Sequence, residues 1–283
     1  MREELRRRRK NSKFHRWLIP GVLLLLILVF VGLAVNTINH EKKLEAQYSR
    51  AELLLQEQDY ERAAALFQEL YEKHPSFHLA PRALFQAGET LNLFLRRYHE
   101  ALLAYLLVER DYPGTEIARR SQQQIAEIYK TRLRDYNRAI VAYQRLLDSG
   151  VPGGDAFQYE VADAYFRLSN FEQARIEFEA LLKNYPSSPF VPEVMYRLGV
   201  THSLEGSLRQ AEGAFRTMLG NWPDHVYAIE AQFGLATVLE EREELLAALK
   251  ILQELEGIYP NAEALAKKTE QVRERIRKKK KAI

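Results

Sequence analysis

One pattern of apolar, small and proline residues recurs along the chain between residues 60 and 260. Each copy has an aromatic residue or Leu, an Ala three positions later, a ring or Leu four positions after that, then an aliphatic residue or Met, and finally a Pro. The spacings of 3, 4 and 3 place the first four residues on one face of an α-helix, which the proline ends. The copies are Tyr60, Ala63, Phe67, Leu70, Pro75; Tyr98, Ala101, Tyr105, Val108, Pro113; Tyr136, Ala139, Tyr143, Leu146, with Pro152 one position late; Phe171, Ala174, Phe178, Leu181, Pro186; Leu208, Ala211, Phe215, Met218, Pro223; and Leu245, Ala248, Leu252, Leu255, Pro260.

A second amphipathic stretch precedes each of these helices. It is clearest in DAFQYEVADAYFRLSN and PEVMYRLGVTHSLEG, where Ala162 and Gly199 lie twelve residues ahead of the repeat's Ala. Small residues at such positions let two helices approach closely. Because one helix pair cannot bury its apolar face alone, consecutive pairs must stack. We therefore predict an all-α solenoid of about six helix pairs over residues 37–266.

The N-terminal residues follow a different pattern, in which a basic segment runs directly into an apolar one. Nineteen residues from Trp17 to Val35 carry no charge, which is long enough to cross a hydrocarbon core of about 30 Å. We predict a transmembrane helix over residues 17–36. A cleaved signal peptide is the alternative, since Gly32 and Ala34 form a weak cleavage site, although the apolar run exceeds the usual signal-peptide core.

The charges around this segment predict its orientation. Residues 1–16 contain eight Lys or Arg and two Glu, and such a cluster stays in the cytoplasm. The chain would then be a single-pass protein of the inner (cytoplasmic) membrane, with a basic cytoplasmic tail at residues 1–16 and its repeats in the periplasm.

The repeats resemble tetratricopeptide repeats over roughly residues 47–260, because the small, Ala, aromatic and Pro positions recur together at that family's offsets. The Ala-to-Ala steps are 38, 38, 35, 37 and 37 residues, and the excess over the usual 34 falls mostly in loops such as YPSSPFVPEV. Such longer repeats resemble those of bacterial envelope proteins, notably the assembly lipoprotein BamD and the periplasmic TolA-binding protein. An N-terminal membrane helix instead resembles the ancillary subunit of the Sec translocon.

The family resemblance implies a concave groove lined by residues three before and one after the small crossing residue. Aromatic residues flanked by acids would suit an extended or helical peptide with apolar anchors and some basic residues. The alternative interpretation is that the rings only pack against the neighbouring repeat. The candidate residues are Phe85, Gln123, Tyr159, Tyr196 and Phe233 at the first position, and Glu89, Glu127, Asp163, Val200 and Thr237 at the second.

The third copy departs from the pattern. Its segment DSGVPGGD, residues 148–155, contains three glycines and displaces the proline. Glycine loosens a turn, so the segment is either a bend between two halves of three repeats or a slightly longer loop.

The composition excludes several kinds of site. The chain has no Cys, so it has no disulfide, no thiolate metal ligand, no cysteine nucleophile and no lipidated cysteine, which argues against a BamD equivalent. It also contains no P-loop, GxSxG or HExxH motif, and its seven His are scattered. We expect no catalytic, cofactor or metal site and no enzyme activity.

The net charge of +3 is unevenly distributed. Residues 267–281 contain nine Lys or Arg and two Glu, so the part of the chain between the two basic ends carries about −10. We predict that residues 267–283 form a basic helix or tail, which is either a solvated end cap or a contact for anionic lipid or an acidic partner. With the predicted topology, nucleic acid is not expected as a partner.

These features together predict a membrane-anchored periplasmic scaffold or adaptor that binds protein partners in envelope assembly, secretion or maintenance. One alternative is a receptor on an organelle surface, similar to mitochondrial import receptors that combine an N-terminal anchor with such repeats. Another is the docking or regulatory subunit of a cell-wall enzyme complex.

Overall fold

The computed structural model describes the backbone of residues 2–150 and 152–281, and the side chains from Leu23 onwards apart from residues 25, 27 and 151. Within these residues the chain consists of α-helices, one π-helical turn and no strand. The helices are α1 (Arg2–Gln56), α2 (Tyr60–Lys73), α3 (Ala80–Leu93), α4 (Tyr98–Asp111), α5 (Glu116–Glu127), α6 (Tyr136–Asp148), α7 (Gly154–Arg167), α8 (Phe171–Asn184), α9 (Val191–Leu204), α10 (Leu208–Asn221), α11 (Ala228–Glu241), α12 (Leu245–Glu254) and α13 (Ala262–Lys281).

The helices form two compact units. The first unit, Met1–Ala118, contains α1 to α4, and the second, Arg119–Ile283, contains α6 to α13 and most of α5. Helices pair in chain order within each unit, which confirms the predicted helical solenoid.

In the first unit, α1 supplies the first helix of a pair and α2 the second. Leu44, Tyr48 and Ala51 of α1 lie in one buried cluster with Phe67 and Leu70 of α2. The two α2 residues are the ring and aliphatic positions of the first sequence repeat. The repeat pattern therefore marks the face on which α2 packs.

In the second unit, small residues mark the close approach of paired helices, as the sequence predicts. Ala162 is buried beside Phe178 in one cluster. A Cβ atom added to Gly199 would lie 2.5 Å from the ring of Phe215, and one added to Gly234 would lie 2.6 Å from it. Phe215 is thus held between two glycines of adjacent helices, in space that no larger residue could share.

An extra residue in the third repeat is accommodated by a π-helical turn at Ile128–Arg132. There the Leu133 N–H donates to the Ile128 carbonyl, five residues earlier, at 3.0 Å. Ala126 consequently lies thirteen rather than twelve residues before Ala139. π-Helices are rare and occur mostly as single-turn bulges of this kind within α-helices.

The glycine-rich segment 148–155 joins α6 to α7. Gly150 and Gly153 have φ values of +64° and +94°, which only glycine adopts at little cost. Helices α6 and α7 share a buried cluster that contains Tyr143 and Val161. The division between the two compact units lies at Ala118 and Arg119.

The predicted transmembrane segment, residues 17–36, lies partly outside the described residues, as does the basic tail at residues 1–16. Among the residues that the structure does describe, none of the helices combines the length and apolar character needed to cross a membrane. The described part belongs to α1, and its large apolar side chains are between 49% and 73% exposed over residues 23–38. They are Leu23, Leu24, Leu26, Leu28, Val29, Phe30, Val31, Leu33, Val35 and Ile38.

The predicted basic C-terminal segment lies in α13, with residues 282–283 outside the described part. Leu265, Thr269 and Val272 are buried on one face of this helix. Glu240 of α11 is 1% exposed, and Lys268 and Arg275 of α13 lie 2.6 and 3.1 Å from its carboxylate oxygens. The helix is therefore fixed to the last repeat by apolar packing and by buried ion pairs.

Candidate partner-binding face

Three predicted rings of the second unit form a repeated row of stacked pairs. Tyr159, Tyr196 and Phe233 lie at steps of 37 residues on α7, α9 and α11. Each stacks face to face on a second ring, with centroid distances of 5.0, 5.1 and 4.6 Å. The second rings are Phe190, Tyr227 and Tyr259, which precede the next helix. The predicted rings thus pack on rings of the following repeat, which leaves both interpretations of them open.

Carboxylates hold the hydroxyl groups of this row. The Tyr159 hydroxyl donates to Glu193 at 2.5 Å, and the Tyr259 hydroxyl donates to Glu230 at 3.0 Å. Burial, with the hydrogen bond to Glu230, raises the pKa of Tyr259 to about 12. Burial also raises the pKa of Tyr196, and the charge of Glu230 adds to that effect. Tyr159 and Tyr259 are therefore neutral hydrogen-bond donors at ordinary pH.

The predicted acids Glu89 and Glu127 accept hydrogen bonds from their own repeats. In the first unit the Tyr105 hydroxyl donates to Glu89 at 2.7 Å, and in the second unit the Tyr143 hydroxyl donates to Glu127 at 3.1 Å. Each tyrosine is the central ring of its sequence repeat. These two carboxylates therefore satisfy buried hydroxyl groups, whether or not a partner binds.

The third predicted acid, Asp163, is buried and lies in a network of ion pairs whose other members are partly exposed. Its carboxylate is 2.7 Å from Nε of Arg167 and 3.1 Å from Nζ of Lys130, which also pairs with Glu160. Burial alone would raise the pKa of Asp163, but Arg167 and Lys130 together hold it below its ordinary value. Burial raises the pKa of Glu160 although Lys130 opposes the change. The charged side chains of this network therefore form ion pairs with one another.

Exposure separates the predicted residues into two groups. Phe85, Tyr159 and Asp163 are buried, and the ring of Phe85 packs on Tyr105 at 5.4 Å. The other predicted residues are partly buried or exposed. They are Glu89, Gln123, Glu127, Tyr196, Val200, Phe233 and Thr237.

Four of these residues lie together on two adjacent helices. Tyr196 and Val200 of α9 have the same register as Phe233 and Thr237 of α11, and the two helices contact each other. Tyr196, Val200 and Phe233 pack on one buried cluster. The Thr237 hydroxyl is satisfied by the Phe233 carbonyl at 3.1 Å. We call these four residues the α9–α11 patch, which is partly accessible and uncharged.

Sequence reasoning missed the residues that frame this patch. Glu193 and Glu230 lie three residues before Tyr196 and Phe233, and Phe190 and Tyr227 also lie 37 residues apart. Arg197 is 3.3 Å from Glu193 and 5.7 Å from the ring centre of Phe166. The 37-residue period of these positions is a signal that could have found the first four. Nothing in the sequence predicts the pairing of Arg197.

No group of His, Asp and Glu side chains is arranged to hold a metal ion in the part of the chain that the structure describes. The stacked rings and the α9–α11 patch form a surface that can make non-covalent contacts.

A model of the tetratricopeptide repeat family matches residues 37–76, 48–116, 130–189 and 196–263. These segments together span most of the chain. No curated protein sequence matches the chain significantly.

Several solved structures share the fold. PilW, described as a widely conserved type IV pilus biogenesis factor, aligns with a TM-score of 0.51 and 15% identity, covering 79% of this chain and 97% of its own. YrrB, described as a repeat protein with an unusual peptide-binding site, aligns with a TM-score of 0.53 and 16% identity, covering 71% and 95%. The Naa15/Naa10 complex bound to HypK-THB aligns with a TM-score of 0.52 and 17% identity, covering 85% of this chain and 35% of that one. At these identities the likeness is one of fold.

Proposed function

Because the chain belongs to the tetratricopeptide repeat family, we propose that it is a membrane-anchored scaffold of the bacterial envelope, which binds segments of partner proteins on the α9–α11 patch. Proteins of this family are generally non-enzymatic scaffolds for protein–protein interaction. The mechanism is non-covalent binding of the partner to a preformed surface. Because the surface is preformed, the protein rearranges little on binding, and the free-energy cost of that rearrangement is small.

The observation that carries this proposal is the contrast between the α9–α11 patch and its surroundings. The carboxylates around it are engaged by Tyr159, Tyr259 and Arg197, whereas the patch itself has aromatic, aliphatic and threonine side chains that remain partly accessible. Well-packed aromatic side chains are among the features of protein-binding hot spots. The repeat of the same register on α9 and α11 suits an extended or helical partner segment with two apolar anchors.

The exposed apolar residues of α1 support the membrane anchor. Leu28, Val29, Phe30 and Val31 are consecutive and all at least 49% exposed, so they cover most of the helix circumference at 100° per residue. Exposure of this kind along a helix is unfavourable in water and favourable in lipid. Together with the uncharged run of residues 17–35 and the basic residues before it, it favours an N-terminus in the cytoplasm and repeats in the periplasm.

Site-specific photo-crosslinking tests the binding function. A photo-reactive amino acid is placed at Val200 or Thr237 in the full chain, and at Leu246 of α12 as the control. Leu246 is 73% exposed but lies outside the patch. We expect one protein adduct that is common to Val200 and Thr237 and absent at Leu246. Equal labelling at all three positions, or adducts with lipid alone, would contradict the proposal.

A compartment-sensitive reporter at the C-terminus tests the topology independently. A periplasmic signal is expected, and it should depend on residues 17–36 remaining in the chain. A cytoplasmic signal would contradict the periplasmic scaffold and would favour the organelle-surface receptor as the alternative.

A second candidate function is a part in type IV pilus biogenesis, which is the role stated for PilW. The support for this candidate is a likeness of fold that covers 97% of PilW at 15% identity. Deleting the gene and counting surface pili tests it: loss of pili is expected, and unchanged piliation would exclude it.

A further inference from the structure

The loop between α2 and α3 lies against α1 just beyond the end of the exposed apolar run. The rings of His74 and His40 contact each other edge to face, with centroids 5.2 Å apart. Nε2 of His78 lies 3.9 Å from the Glu45 carboxylate, and Phe77 is buried in the same cluster as Leu44. The loop is therefore fixed to α1 at the level of residues 40–45.

Because α1 is one continuous helix, the number of residues gives the distance along its axis between the apolar run and this loop. From residue 33 to Gln56 the helix contains neither Gly nor Pro, so nothing in it favours a kink. The contact residues of α1, from His40 to Glu45, follow Val35 by five to ten residues, or about 8–15 Å at 1.5 Å per residue, so the His40–His74 contact lies nearest the apolar run. The headgroup region on each side of a bilayer is roughly 5–8 Å deep, and any tilt of α1 reduces the height along the membrane normal.

The side chains at this level suit a phospholipid surface. Lys42 and Lys43 of α1 are exposed, as are His78 in the loop and Arg82 at the start of α3. Lysine stems reach several ångströms beyond the backbone and place their charges in the headgroup layer. The exposed acids Glu41 and Glu45 balance part of this charge, so contact depends on geometry more than on net attraction.

We propose that the first repeat rests on the membrane surface, with the loop His74–Leu79 and the adjacent Lys42 and Lys43 in contact with phospholipid headgroups. This proposal rests on the membrane anchor of the proposed function. Its consequence is that the first repeat is held against the bilayer by a direct contact, since no flexible linker separates the anchor from the repeat.

Single-cysteine variants test the contact in the full chain, which has no Cys of its own. Ser76→Cys places an environment-sensitive fluorophore in the loop. Gln56→Cys places it at the other end of α1, about 24 Å beyond His40 at 1.5 Å per residue. Leu28→Cys places it in the apolar run. Each labelled protein is reconstituted in vesicles of phosphatidylcholine and phosphatidylglycerol that contain a nitroxide quencher on the headgroup or on the acyl chain.

The expected result is several-fold stronger quenching of the Ser76 probe than of the Gln56 probe by the headgroup nitroxide, with the Leu28 probe quenched by the acyl-chain nitroxide. If the Leu28 probe is quenched but the Ser76 and Gln56 probes respond alike, the surface contact is wrong and the anchor stands. If the acyl-chain nitroxide does not quench the Leu28 probe, the anchor itself is wrong and this proposal falls with it.

Discussion

The ring of Phe215 shows how a single position controls the packing of one repeat on the next. Its edges approach Gly199 and Gly234 so closely that an added Cβ atom would lie 2.5 or 2.6 Å from a ring carbon. The fourth sequence repeat has Ala at the crossing position, where Ala162 is buried in one cluster with Phe178. The crossing residue and its ring therefore have to be considered as a pair.

Replacing Gly199 with Ala should destabilise the second unit. Since the core is close-packed, the ring of Phe215 would have to leave its position, at a cost of about 1–3 kcal/mol. Gly213→Ala is the matched control, because nothing lies within 4 Å of a Cβ atom at Gly213 in α10, and it should stabilise the helix by about 0.5–1 kcal/mol. Urea unfolding measures both. A neutral Gly199→Ala variant would refute the close packing.

The Tyr259–Glu230 pair predicts a distinct titration at high pH. The pKa of Tyr259 is about 12 in the folded protein and about 10 when unfolded. The neutral phenol therefore stabilises the fold fully below pH about 10, and this contribution is lost as pH rises through 12. Difference absorbance between the wild type and Tyr259→Phe isolates the titration, and Glu230→Gln should lower its pKa. An unchanged pKa in Glu230→Gln would show that the hydrogen bond is absent in solution.

At the scale of residues, the sequence predicts core positions better than their partners. Gly199 and Ala162 are confirmed as crossing residues, because they pack against Phe215 and Phe178 of the paired helices. The stacking partners Phe190 and Tyr227 lie at the ends of loops, where only their separation of 37 residues indicates them. The turn between the two helices of each pair also contains one residue of positive φ. The sequence does not indicate these positions, because only one of the six residues is glycine. These residues are Gln58, Arg96, Arg134, Ser169, Gly206 and Glu243.

Among the elements, α13 depends on the buried carboxylate of Glu240. Lys268, Gln271 and Arg275 all contact it from successive turns of α13. The Lys268 side chain is only 18% exposed. Removing the Glu240 carboxylate would leave this partly buried ammonium group without its nearest counter-charge. We expect Glu240→Ala to cost about 2 kcal/mol, below the range for fully buried pairs because Arg275 is more exposed.

Hydrogen exchange measures this effect locally. Amides of α13 should exchange faster in Glu240→Ala, while Glu241→Ala, at an exposed neighbouring position, should leave exchange unchanged and change stability by less than about 0.5 kcal/mol. Equal protection of α13 in both variants would mean that apolar packing alone holds this helix.

The elements were largely predictable because each helix pair repeats the same spacing. The π-helical turn at Ile128–Arg132 was not, since the sequence reveals it only as an Ala-to-Ala step of 38 residues. An inserted residue can be accommodated either in the turn or within the helix. Which of the two occurs depends on side-chain packing, and the Ala-to-Ala spacing does not reveal that packing. The bend or loop at residues 148–155 was left open for the same reason.

For the whole molecule, the repeat pattern predicts the family because six copies agree with one another. The boundary between the compact units at Ala118 and Arg119 has no counterpart in the pattern, since it falls inside a repeat helix. The transmembrane helix over residues 17–36 remains a prediction. The candidate site was partly predictable: the register of Tyr196 and Phe233 followed from the repeat, but their accessibility depends on rings and carboxylates from other segments.

Recovery of the crosslinked partner from membranes that contain charged variants measures whether the partner binds at the α9–α11 patch. Thr237→Arg places a guanidinium in the uncharged α9–α11 patch, whereas Leu246→Arg places the same group on an exposed position of α12. Quantitative co-isolation should fall about tenfold for Thr237→Arg, which corresponds to about 1.4 kcal/mol of binding free energy, and should be unchanged for Leu246→Arg. Equal recovery by both variants, with both proteins folded, would contradict the account.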